Sequence, residues 1–123
     1  MSKYMLLLYR PDGEQRPSEL PLWIEFDRSL RDAGVHIAGD PLHPVDAATT
    51  VRVRDDETEV IDGPFAVTKE YLAGYYLLDC ADLDEALRHA ARVPLARYGS
   101  VEVRPLMDMG APVSADGEAA AAP

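Results

Sequence analysis

The stretch "YLAGYYLLDC", residues 71–80, is too long and too apolar a run for an exposed element, which reads as a central strand of a sheet. Gly74 inside it marks a bulge or the close approach of a neighbouring backbone. Directly after it, Asp82 and Glu85 have the spacing of a capping box. Leu83, Ala86, Leu87, Ala90 and Ala91 then form the apolar stripe of a helix that stops before Pro94. A central strand running into an amphipathic helix is the unit on which the rest must pack.

Working outward, "KYMLLLYR" (3–10) is a second short apolar run, stopped by Pro11-Asp12-Gly13, and reads as a buried strand ending in a turn. Ser18 has the character of an N-cap, and Leu20, Trp23, Phe26, Leu30 and Ala33 recur at steps of three and four until Gly34, so a helix lies between them. "VHIAGD" (35–40) is a further strand. "TTVRVRDDETEVIDG" (49–63) alternates, turns at "DDET" and returns, as a hairpin does. "SVEVRPL" (100–106) supplies the last strand.

The order is strand, helix, strand, hairpin, strand, helix, strand. It predicts an α+β fold, a ferredoxin-like βαββαβ sheet with helices on one face and an inserted β-hairpin. Apolar residues on both sides of "MLLLY" and "YYLL" leave the other sheet face in need of cover, and a second copy of the chain provides it, so a homodimer is expected. Residues 1–106 form the domain, and 107–123, rich in Ala, Gly and Pro without periodicity, form a flexible tail.

The chain has 123 residues, with 12 Lys and Arg against 22 Asp and Glu, a net charge of −10 and a pI near 4.6. Phosphate backbones and anionic bilayers attract clustered cations, so neither direct nucleic-acid binding nor membrane binding is expected. The single cysteine, Cys80, excludes an internal disulfide and a cysteine-based zinc site. The apolar stretch "MLLLY" is too short for a signal-peptide core or a membrane span, and a cytoplasmic location follows as an expectation. No phosphate loop, GxSxG elbow, HExxH or Cys/His cluster is present, and no cofactor or metal is expected.

Candidate chemistry gathers around "DGPFAVTKE" (62–70). Asp62-Gly63-Pro64 has a sufficient cause as a turn, because Asp can bond its own backbone, Gly tolerates unusual φ and Pro fixes the next residue. Phe65 suits a hydrophobic anchor, and Thr68-Lys69-Glu70 is the part that turn geometry leaves unexplained. His43 stands in the turn-rich "GDPLHP" at a strand end, where loops carry function, although a surface or hydrogen-bonded histidine is the commoner explanation. Asp62, Glu70 and His43 are the candidate acid-base groups, and Phe65, Thr68, Lys69 and Tyr75 the candidate ligand contacts. His36 and His89 are read as structural or solvated.

"KYMLLLY", "AGVHIAGDPLHP", "ATTVRVRD", "DGPFAVTKEYLAGYYLLDC", "DLDEALRHAARVP" and "GSVEVRPL" together resemble the DGPF branch of the YCII-related family in unbroken order, with Val67 where that branch usually has Glu. The resemblance implies a ferredoxin-like fold paired as a dimeric α/β barrel. It also implies an unestablished activity, small-ligand binding or regulation, in some relatives beside an extracytoplasmic-function sigma factor, here through protein contacts. The alternative it implies is a cofactor-independent lyase or dehydrochlorinase, using proton transfer or elimination on a small aromatic or carbonyl substrate. The His-Asp pair of such relatives does not carry over: "SELPLWIEFDRSLRDAG" has no histidine and "RVPLARYGS" no acid.

Overall fold

The computed structural model describes residues 2–109; the remainder of the expected tail, 110–123, lies outside the described residues. Its strands and helices run β1 (Ser2–Pro11), α1 (Leu20–Asp32), β2 (His36–Pro41), β3 (Thr49–Arg54), β4 (Glu57–Asp62), β5 (Glu70–Cys80), α2 (Leu83–Ala90) and β6 (Ser100–Pro105). The main sheet has the order β2-β5-β1-β6 and is antiparallel throughout, while β3 and β4 pair separately as the inserted hairpin. This is the ferredoxin-like α+β architecture expected from the element order.

Pleating decides which side chains meet the helices, since paired residues on neighbouring strands share a face. Leu6 pairs with Tyr76 and with Val103, and this face, with Tyr4, Leu8, Leu78 and Cys80, packs on Phe26 and Leu30 of α1 and Ala86 and Ala90 of α2. The opposite face presents Met5 opposite Leu77, Leu7 opposite Tyr75 and Tyr9 opposite Leu72, and none of these belongs to the buried core.

The bulge lies where Gly74 announced it. The register of β1 with β5 jumps between Leu8 and Tyr9, so that Gly74 and Leu72 face consecutive residues and Ala73 is the extra one. A Cβ on Gly74 would stand 3.0 Å from the Asp40 carbonyl oxygen of β2, so both reasons for a glycine hold at once.

α1 starts later than its N-cap signal suggested. Pro17–Glu19 form a single 3₁₀ turn, the helix proper begins at Leu20, and Ser18 makes no capping bond. Glu19 instead accepts a hydrogen bond from the Tyr98 hydroxyl at 3.0 Å, tying the start of the helix to the segment before β6, and the Arg16 guanidinium lies 3.6 Å from the centre of the Tyr98 ring. At the other end Gly34, at φ +73°, closes a Schellman motif: its amide bonds Arg31 O and the Val35 amide bonds Leu30 O. α2 keeps its reciprocal cap, with Glu85 N donating to Asp82 Oδ1 at 2.9 Å and Ala81 N to Glu85 Oε1 at 2.7 Å.

The hairpin turn is tighter than "DDET". Asp55 and Asp56, at φ 52° and 62°, form a two-residue turn, and Glu57 and Thr58 already pair in β4. No helix among the described residues is long and apolar enough to cross a membrane.

Candidate functional site

The segment after β4 leaves the hairpin through Gly63. Its φ of +100° is a conformation that L side chains rarely adopt, and its amide donates to Ala48 O at 2.7 Å. Thr50 Oγ1 donates to Gly63 O at 2.8 Å, and Arg52 Nη2 to Phe65 O at 3.3 Å, so β3 holds the loop by its backbone. Thr68 Oγ1 donates to Glu70 O at 2.5 Å and the Thr68 amide to the Tyr71 hydroxyl at 3.3 Å, which turns the chain into β5. The loop is thus held by threonine hydroxyls, the Arg52 guanidinium and the Tyr71 hydroxyl; no side-chain bond from Asp62 takes part among the described residues.

The loop, the base of the hairpin and the bare sheet face enclose a cleft of about 600 Å³. His43, Phe65, Thr68 and Glu70 line it, with Tyr9 and Leu72 contributed by the sheet. Glu70 is half-buried and its Oε1 accepts a hydrogen bond from Ser100 Oγ at 2.7 Å, a contact across the sheet that leaves its second oxygen without a hydrogen bond among the described residues. Phe65 is 78% exposed and lies on the cleft wall, not in the core as an anchor would.

The other candidates stand apart. Asp62, at the end of β4, and Lys69 are exposed and do not line this cleft. Tyr75 belongs to a different cavity, at α1, where its hydroxyl donates to Asp40 Oδ2 at 3.2 Å; that bond, and then the charge of the carboxylate, raise its pKa. The cleft therefore joins one imidazole and one carboxylate with the threonines Thr50 and Thr68 and the aromatic residues Tyr9, Phe65 and Tyr71. Glu70 and His43 are not hydrogen-bonded to each other among the described residues, so no acid-base relay is assembled.

Of the two histidines read as structural or solvated, His36 is the structural one and His89 departs from expectation. His36 is enclosed: its side chain is 9% exposed, its Nε2 lies 3.6 Å from Asp27 Oδ1 and 3.5 Å from Arg31 Nη2, and its ring meets Tyr76 edge-on. His89, expected in solvent, turns a buried Nδ1 without a partner toward the protein, and burial lowers its pKa. Among the described residues no three His, Cys, Asp or Glu side chains are grouped to hold a metal ion.

Sequence reasoning also missed the cavity of about 420 Å³ between α1 and the ends of β1, β5 and β2, lined by Arg10, Trp23, Asp27 and Asp40 among others. Its one sequence signal is Arg10, a cation closing the apolar run "MLLLY".

The chain is 57% identical over 67 residues to an uncharacterized protein of Rhizobium meliloti (strain 1021), an alignment covering 53% of this chain. The chain spans 54% of the length of that curated relative. The profile of the YCII-related domain matches residues 2–110. With that match over nearly the whole described fold, the chain belongs to the YCII-related domain family.

Proposed function

We propose that the protein is a homodimeric small-ligand-binding domain with a regulatory role, whose ligand lies in the cleft between the DGPF loop and the bare sheet face. The observation that carries this reading is the meeting of His43, Phe65, Thr68 and Glu70 around about 600 Å³, a size that suits a small molecule. The apolar row Met5, Leu7, Leu72 and Leu77 runs along the same sheet face, so a second copy laid on it would roof the cleft and cover Phe65. An imidazole and a free carboxylate oxygen beside an aromatic wall favour a neutral, hydroxylated aromatic compound.

Binding fits the geometry better than catalysis, because Asp62 and Lys69 do not line the cleft and one Glu70 oxygen already accepts from Ser100. A role beside a sigma factor would run through protein contacts, since a chain of charge −10 has no field to hold promoter DNA. Thermal-shift titration with catechol and phenol tests the ligand site, because a compound bound only to the native state raises its melting temperature. A rise for the wild type that disappears in Phe65→Ala and Glu70→Gln is expected. An equal rise in all three proteins, or none in any, would reject the cleft.

A further inference from the structure

The cavity at α1 is separate from the DGPF cleft and has a different chemistry. Leu8, Trp23, Tyr76 and Leu95 give it apolar walls, and Arg10, Asp27 and Asp40 are its charged groups. The two carboxylates are engaged: Asp27 Oδ2 accepts from Arg31 Nε at 2.7 Å and Asp40 Oδ2 from the Tyr75 hydroxyl at 3.2 Å. Arg10 is not. It forms no ion pair among the described residues; its Nη1 donates to the neutral Gln15 Oε1 at 3.2 Å, and its Nε is out of water's reach with no acceptor.

A half-buried guanidinium beside an apolar wall has lost hydration without gaining a counter-charge, and an incoming carboxylate would supply the charge-assisted hydrogen bonds it lacks. We propose that this cavity binds a small apolar monocarboxylate, with its hydrocarbon body against Trp23, Leu8 and Leu20 and its carboxylate on Arg10. Asp27 and Asp40 among the lining residues set the limit of one negative charge, since a second would add to the two carboxylates already there. The proposal does not depend on the cleft beside Phe65, which shares no lining residue with this cavity.

Trp23 is the chain's single tryptophan, so its emission reports on this cavity alone. Titrating the full chain with cyclohexanecarboxylate should give a saturable change, and the isosteric cyclohexanecarboxamide should bind at least roughly tenfold more weakly, the worth of a charge-assisted bond. Arg10→Gln should weaken the carboxylate by a similar factor while Phe65→Ala leaves it unchanged. Leu20 is 61% exposed at the rim, so its variants test the charge logic without touching the core: Leu20→Glu should weaken the carboxylate and Leu20→Lys should not. Equal binding of acid and amide, indifference to the Leu20 charge, or no saturable change would overturn the proposal.

Discussion

Two buried side chains, Tyr76 and Cys80, and the partly buried His89 set how single residues respond to pH. Burial pushes the Tyr76 hydroxyl up to about 12 and the Cys80 thiol up to about 11, from ordinary values of 10.0 and 9.0, so the fold holds both protons where the unfolded chain has released them. Their contribution to stability is complete below pH 9.0 and is lost as pH rises through about 11 and 12. His89 has the opposite sign. Its helix end favours a cation, yet burial outweighs that and lowers its pKa from 6.5, so its contribution is present above pH 6.5 and declines as pH falls. Urea midpoints measured from acid to alkali should therefore fall on both sides of neutrality, and His89→Gln should flatten the acid limb alone. An acid limb of unchanged slope in that variant would show that carboxylates account for all of it.

At the scale of elements, α2 is short enough to depend on its ends. Eight residues barely sustain a helix in water, and Asp82 satisfies an amide that otherwise has no partner, so Asp82→Ala should lower the unfolding free energy by about 1 kcal/mol in urea denaturation, with Asp82→Asn nearly neutral. This cap was legible in the sequence because it is local, three residues from donor to acceptor. The strands were legible for a similar reason: alternation in "MLLLY" separates Leu6 and Leu8 from Met5 and Leu7 whatever the topology. The start of α1 was not, because Glu19 is engaged by Tyr98, a residue brought to it only by the fold. The candidate site divides along the same line. His43, Phe65 and Thr68 sit in the two loops flanking one hairpin, with Glu70 opening the strand that follows, and could be guessed together, whereas Arg10, Trp23 and Asp40 come from three elements that meet only once the sheet is assembled.

At the scale of the molecule, the sheet has one face sealed by helices and one left open, and the open face carries Leu77 opposite Met5. A charge placed there costs the monomer little but would break a sheet-to-sheet dimer. Leu77→Arg should halve the mass found by light scattering and keep the wild-type circular dichroism spectrum; a wild-type mass that is already monomeric would remove the dimer from the proposed function. The strand order also sets a timetable for folding. β1 is made first yet lies at the centre, with β5 on one side and β6 on the other, so Leu6 waits for Val103 before its second edge is closed. Until the ribosome has released β6, one edge of this apolar central strand stays open to pairing with strangers, and the cell must either fold this domain late or shield the strand.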